Sequence, residues 1–349
     1  METTALLREL TEACGASGYE AGIREAVGKY FAQYAESTRV DTLGNIVGFK
    51  KGQDGGGHSV MLAAHMDEIA LMVNQIEKGF LRVAAIGGFD PRVLIGQEVV
   101  VHGRRELSGV IVSVPPHFTR PRERDKTVPL DKLFVDLGLS AERVAETIRV
   151  GDIVTIARKL TVLTNQRLAG RAFDDRAGLA AIIICLEEMR RRKHLWDILA
   201  VATVQEEVTR FGAATSAYHL RPDVAIAIDG TFGDQPGASD TETYKLDGGP
   251  TVAFGPNIHP AVYERLVAAA EAEEIPFQIE PIPGDTGTDG WAIQISRSGL
   301  PTGVLGIPLR YMHSSVETLA EKDVLRTGRL LAGFISRLDQ EFSASMDGK

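Results

Sequence analysis

Residues 197–229 read DILAVATVQEEVTRFGAATSAYHLRPDVAIAID. The apolar run DILAVATV reads as a buried strand, FGAATSAYHL as a helix and VAIAID as a second strand. Strand–helix–strand alternation of this kind builds parallel sheet covered by helices. The first strand stops at two adjacent acids, Glu206 and Glu207. Neighbouring side chains of a strand point to opposite faces. Two adjacent carboxylates at that point are either solvated surface charges or two parts of one site, with the strand ending so that both turn inward.

The alternation extends in both directions. RAGLAAIIICLEEMRRR (176–192) and PAVYERLVAAAEAE (260–273) have helical spacing, and FQIEPIP (277–283) and TGVLGIP (302–308) read as strands. A helix near 288–297 and a long final helix complete this half. At the other end of the chain, 3–14 and 20–34 read as helices, with Gly15 a C-cap for the first. RVDTLGNIVGFKKG (39–52) reads as a hairpin around Leu43–Gly44–Asn45, and HSVMLAAH (58–65) as a buried strand. Between about 70 and 160 the texture changes to short strands separated by Gly, Asp and Arg turns: LRVAAIGG, QEVVVHG, LSGVIVSV and DIVTIAR. That is the texture of a small β-barrel. Within it, PPHFTRPRERDKTVPL (115–130) reads as an exposed, mobile loop. The expected architecture is an α/β domain with a mostly parallel sheet, residues 1–68 and 166–349, interrupted by an inserted β-barrel at 69–165.

Composition sets limits. The chain has 349 residues, 44% apolar and 24% charged, which suits a globular protein of roughly two domains. A net charge of −9 argues against a nucleic-acid partner. No apolar run approaches the ~20 residues that span a bilayer. METTALLRELTEACG reads as an amphipathic helix rather than a signal peptide. The two cysteines, Cys14 and Cys185, fall in helical patterns and suit buried free thiols in a reducing cytoplasm.

In open α/β sheets, sites form at the carboxyl ends of strands. Five segment ends carry metal-ligand types: His65-Met66-Asp67, Asp174-Asp175, Glu206-Glu207, Asp229 and His313. One such end is a turn or a solvated edge; five at one edge need a common partner. Buried carboxylates are costly without one, and a divalent cation suits several acids with two histidines. One zinc site would be over-supplied by this set, because catalytic zinc takes three protein ligands and keeps a position for water. Two ions sharing a bridging carboxylate use it well. Asp67 is placed to fix the orientation of His65. One of the two glutamates then binds metal, and the other takes a proton from the metal-bridging water and passes it to the leaving amine.

The series AAHMDEIALMV, GRAFDDRAG, VQEEVTRFGA, AIDGT, GPNIHP and GTDGWAIQISRSGLPTGVLGIPLRYMHS resembles the glutamyl-aminopeptidase family of cocatalytic metallopeptidases, which includes the tetrahedral (TET) aminopeptidases. Some of its members have carried a cellulase M or endoglucanase label. The resemblance covers nearly the whole chain. It implies His65 and Asp229 on a first metal, Glu207 and His313 on a second, and Asp174 bridging. It also implies Asp175 outside the ligand set, Glu206 as general base and Asp67 orienting His65. Zinc and cobalt both suit such His/carboxylate sites. The resemblance further implies short peptide substrates and a homo-oligomer, often a hollow dodecamer assembled through the inserted barrel. Ala70 departs from the common DEIG pattern without removing a ligand. Asp289 and Arg310 lie in matched motifs near the substrate pocket, and His259, also in a matched motif, reads as a helix entry with site-lining as the alternative; His58, His102, His117, His194 and His219 read as structural or solvated. Competing functions are a metal-dependent carboxypeptidase or amide deacylase, and a non-catalytic scaffold on a peptidase fold. A metal-free glycosidase would instead need two carboxylates flanking a sugar.

Overall fold

A computed structural model of the chain describes residues 2–53, 57–118, 126–239 and 241–346. Two helices open it, α1 (Thr3–Glu12) and α2 (Ala21–Tyr34), followed by the hairpin β1 (Ser37–Val40) and β2 (Ile46–Lys50) and the buried strand β3 (Ser59–His65). Six strands then close into a barrel: β4 (Ala70–Glu77), β5 (Phe80–Ile86), β6 (Glu98–His102), β7 (Glu106–Val112), β8 (Phe134–Asp136) and β9 (Ile153–Ile156). The helix α3 (Ala141–Thr147) lies between the last two. Inward residues such as Leu71, Val83, Val99, Val101, Ile111, Val135 and Val154 fill the barrel as a separate core, as strand alternation requires. Residues 119–125, the centre of the segment read as a mobile loop, lie outside the described residues.

The chain returns through β10 (Thr161–Val162) and β11 (Arg167–Gly170) to α4 (Phe173–Glu188), β12 (Asp197–Thr203), α5 (Phe211–Leu220) and β13 (Val224–Phe232). It continues through β14 (Thr251–Phe254), α6 (Pro260–Ala272), β15 (Gln278–Pro281), α7 (Asp289–Gln294), β16 (Thr302–Arg310), β17 (Glu317–Ala320), α8 (Glu321–Ile335) and α9 (Gln340–Met346). Among the described residues one sheet has eleven strands. Its centre, β12-β3-β13-β16, is parallel throughout. Antiparallel partners flank that centre: β1-β2 on one side, β17-β11-β10 on the other, and β14 on β16. Strand–helix alternation announces only the parallel centre; the flanks come from hairpins and short returns, which carry no such signal.

The central strands are apolar on both faces because both faces are covered. Val60, Leu62 and Ala64 of β3 join the core under α1, α2, α4 and α8, whereas Met61 and Ala63 face Ala213 and Ala217 of α5 and Ile293 of α7. Three local expectations change. The first helix ends at Ala13 in extended backbone, so Gly15 is not its cap. Cys14 follows that helix and is half-buried, while Cys185 is buried inside α4. The final helix is two helices: Asp339 accepts the amide of Phe342 at 2.7 Å and starts α9, the usual side-chain cap of a new helix.

Helix ends on the α4/α8 side are tied by one carboxylate. Glu273 accepts from Arg192 at 2.8 and 2.9 Å and from Arg337 at 2.9 Å. The Arg192 hydrogen bond first, then Arg337, lowers its pKa from 4.5 to about 2. A depressed carboxylate pKa contributes stability that is present above the unfolded value and lost as pH falls toward the folded one. We therefore expect Glu273→Gln to cost about 1–2 kcal/mol at pH 7. The gap to the parent should narrow as pH drops below 4.5. Denaturant unfolding of both proteins from about pH 3 to about pH 7, a span that contains the ordinary carboxylate value of about 4.3, checks this, and a gap independent of pH would refute the linkage.

Candidate metal centre

All five segments bring their candidate ligands to one edge of the sheet. β3, β12, β13 and β16 run parallel, and β11 shares their direction through two antiparallel steps. His65 is the last residue of β3. Asp229 stands inside β13, which runs on to Phe232. Asp174 follows β11 at the head of α4, and His313 follows β16 in a left-handed backbone conformation.

Why two glutamates end a buried strand is settled by the turn after β12. Four successive amides there each find a side-chain acceptor. Val204 N donates to Asn45 Oδ1 at 2.9 Å, and Gln205 N to Glu20 Oε1 at 3.2 Å. Glu206 N and Glu207 N donate to the two carboxylate oxygens of Asp67 at 3.0 and 3.1 Å. Gln205 sits at φ 59°, the left-handed region that lets the strand break off sharply. Both glutamates thereby face the cleft instead of alternating.

Asp67 serves His65 differently from the sequence expectation. His65 Nδ1 pairs with the backbone carbonyl of Asp67 at 3.0 Å, and the carboxylate is farther, at 3.6 Å. The carbonyl orients the ring, and the carboxylate holds the glutamate turn. His65 Nε2 then lies 3.1 Å from Asp174 Oδ1 and 3.8 Å from Asp229 Oδ1. On the other side, His313 Nε2 lies 3.4 Å from Asp174 Oδ2 and 3.3 Å from Glu207 Oε2. Asp174 thus turns one oxygen to each histidine, and each histidine has one further carboxylate. Ligand atoms of His65, Asp174 and Glu207 fall within 4.8 Å of one another, as do those of His65, Asp175 and Asp229.

Asp175 has two functions in the fold. Its Oδ1 accepts from Gly178 N at 2.9 Å and caps the regular part of α4. Its Oδ2 is buried and, among the described residues, has no hydrogen-bond partner. Such an orphan is costly in a folded chain and fits a nearby cation.

Electrostatics agree. Burial, then Asp174, pushes Asp229 well above the usual carboxylate range, and burial lifts Asp175 similarly. Burial raises Glu207 to about 7 and raises Glu206. Hydrogen bonds to Asp174 and Glu207 push His313 up to about 11. Burial opposes charge on His65, but Asp174 and Asp67 outweigh it and hold its pKa well above the usual value. Burial likewise opposes charge on Asp174, and the two histidines overcome it and lower its pKa. The cluster draws protons because its negative charge is unbalanced. Divalent cations are the partners that His and carboxylate donors suit.

Sequence reasoning missed several supports. Glu317 accepts the amides of Asp174 at 3.2 Å and His313 at 2.9 Å, tying both sides of the cluster to β17. Glu68 is buried between Arg171 and Arg176 and links α4 to the end of β3. Arg210 donates to Glu206 Oε1 at 3.0 Å and to Asp285 at 3.2 Å. Each is an ordinary charged residue in its own stretch, with no local signal of its partner. Of the motif residues beyond the candidate ligands, Asp289 is buried against Thr203, Arg310 pairs with Asp234 at 2.7 Å, and His259 is the N-cap of α6. A cleft of about 510 Å³ opens beside the cluster.

Buried histidine–carboxylate groups at the carboxyl edge of an α/β sheet, with an open cleft alongside, form a donor set of the kind that holds divalent cations. Residues 44–330 match the M42 glutamyl aminopeptidase family, and the chain belongs to that family of metal-dependent aminopeptidases. It is 39% identical to the lysyl aminopeptidase of Pyrococcus furiosus, over 95% of this chain and 96% of that protein. Its fold superimposes on the TET aminopeptidase of a marine-sediment Thaumarchaeota archaeon with a TM-score of 0.93 at 32% identity, covering 98% and 99% of the two chains. The Pyrococcus horikoshii TET1 peptidase, described as assembling into a tetrahedron or a large octahedral shell, matches with a TM-score of 0.85 at 30% identity, covering 97% and 100%. Among the described residues no helix is long and apolar enough to cross a membrane.

Proposed function

We propose that this enzyme removes the N-terminal residue of short peptides with two divalent ions, zinc or cobalt. His65 and Asp229 would hold one ion and Glu207 and His313 the other, with Asp174 available to both. The division of Asp174 between two histidines, 3.1 Å from one and 3.4 Å from the other, carries this reading. When bound, such a pair activates water and polarises the scissile carbonyl. Glu206 takes the proton of the attacking water and delivers it to the leaving amine. Burial raises its pKa above the usual carboxylate value, which makes it a stronger proton acceptor. Arg210, on Glu206 Oε1, fixes the carboxylate and leaves its other oxygen for the proton. Asp67 holds both glutamates by their amides and orients His65 through its carbonyl.

The catalytic unit comprises 1–68 and 166–349, and the barrel at 69–165 is the oligomerisation domain of a tetrahedral dodecamer. The assembly named for the Pyrococcus horikoshii relative supports this part. Two free cysteines suit the reducing cytoplasm. Chelator-stripped protein should hydrolyse no aminoacyl-anilide. Zinc or cobalt should restore cleavage of free-amine substrates by at least about a hundredfold, while N-blocked equivalents stay intact. Cleavage of blocked substrates, or full activity without metal, would overturn the reading.

A further inference from the structure

Thr286, Gly287 and Thr288, on the loop between β15 and α7, line the cleft together with Glu206 and Arg210. A Cβ at Gly284 or Gly287 would meet nothing within 4 Å, so this loop is not held there by packing. Among the described residues, two side chains from other segments hold residues 284–288. Asn257 donates to the carbonyl of Gly284, and Arg210 Nη1 donates to both carboxylate oxygens of Asp285 at 3.2 Å. The same arginine reaches the turn after β12. Its Nε donates to Glu206 Oε1 at 3.0 Å, and among the described residues no other side chain donates to that carboxylate. Arg210 starts from a fixed base: its backbone is left-handed, at φ 57°, and its amide donates to the carbonyl of Gln205 at 2.9 Å. A residue with a Cβ enters that region at a cost and stays there where its surroundings impose it.

One hydrogen bond at Oε1 does not orient Glu206 if its donor is free to swing on a long stem. A guanidinium is planar and fixes the angle between its donors. With Nη1 held by Asp285, the direction of Nε toward Glu206 is held too. We propose that Asp285 is a positioning residue of the reaction: it acts through Arg210 on the Glu206 carboxylate, so that the orientation of the base depends on the placement of the 284–288 cleft wall. This assignment rests on the reading above, with Glu206 as the base. Side-chain exposure falls from 51% at Asp285 through 26% at Arg210 to 9% at Glu206. Solvent therefore screens the outer pair, and its effect is modest.

The test is a double-mutant cycle on metal-loaded enzyme with the best free-amine anilide: parent, Asp285→Asn, Arg210→Met and the double variant. Asparagine keeps an acceptor for the amide of Gly287, which Asp285 Oδ1 now meets at 2.9 Å, and removes the charge that holds Arg210. Asp285→Asn should lower kcat by about two- to fivefold, with KM and metal content close to the parent's. Arg210→Met should lower it by about tenfold or more, as expected for a charge-assisted contact. The double variant should match Arg210→Met, because Asp285 has no other route to the base. An Asp285→Asn enzyme with parental kcat would overturn the proposal. So would the same factor of loss in both backgrounds, which would give Asp285 a role in the wall alone, and so would a loss confined to KM. If Arg210→Met does not fold, Arg210→Lys takes its place, since lysine keeps the charge and lacks the planar fork. In all these outcomes a parent that cleaves free-amine anilides leaves the aminopeptidase reading intact; a parent that cleaves none overturns both.

Discussion

Glu206→Gln should lower kcat on a good anilide substrate by about 10³-fold, within the range of positioned acid–base catalysis. KM and metal content should stay close to the parent's. The physical basis is the division of labour after β12. Glu207 lies 3.3 Å from His313, whereas the ion-pair partner of Glu206 is Arg210, at 3.0 Å. Glutamine keeps the shape and can still meet Arg210 through its carbonyl oxygen, but it cannot take a proton. The turn itself is held through the backbone amide of residue 206, which the substitution does not touch. Kinetics paired with metal analysis by mass spectrometry decide the matter. A variant that loses its metal makes Glu206 a ligand, and one with parental kcat removes it from proton transfer.

Asp174→Ala should have the second large effect, and on a different observable. A residue that contacted one ion only would leave the other site intact. Asp174 has one oxygen 3.1 Å from His65 and the other 3.4 Å from His313. Its loss should therefore weaken both sites together, by more than the roughly 10–100-fold typical of losing an outer partner of a ligand, and activity should fall with it. Metal titration of parent and variant reads this directly. One ion still bound at parental affinity would show that Asp174 is not shared. The removal also leaves two histidines facing Asp229 and Glu207 without the central charge. The altered charge balance should appear as a shift in the imidazole titrations, measurable by NMR on the metal-free protein.

The two outcomes separate catalytic from structural failure. Loss of turnover with metals retained points to proton transfer, and loss of metals points to the frame. Glu317 belongs to the frame. It contacts the cluster through backbone amides alone, at Asp174 and His313, and its place in the site comes only from β17 lying beside β11 and β16.

The amino-acid order alone determined the ligand set as candidates. His65, Asp174, Glu206, Glu207, Asp229 and His313 all stand at or near the end of an apolar run, and parallel strands covered by helices bring such ends to one edge. The barrel strands were legible for a related reason: short alternating runs between turn residues leave a local signature. Helix boundaries were less so, because Gly15 has the chemistry of a cap that Ala13 makes unnecessary. Asp339 ends what periodicity alone would continue. Tertiary structure decided everything that depends on partners distant in the chain. Asp67 meets the amides of Glu206 and Glu207 across 139 and 140 residues, Asn45 meets Val204 across 159, and Glu20 meets Gln205 across 185. Asp285 shows the same limit at the cleft wall, since Arg210 meets it across 75 residues. A hydrogen bond needs donor and acceptor within about 3 Å. Local sequence encodes which groups are available to make it, and only the packing of the sheet brings them that close.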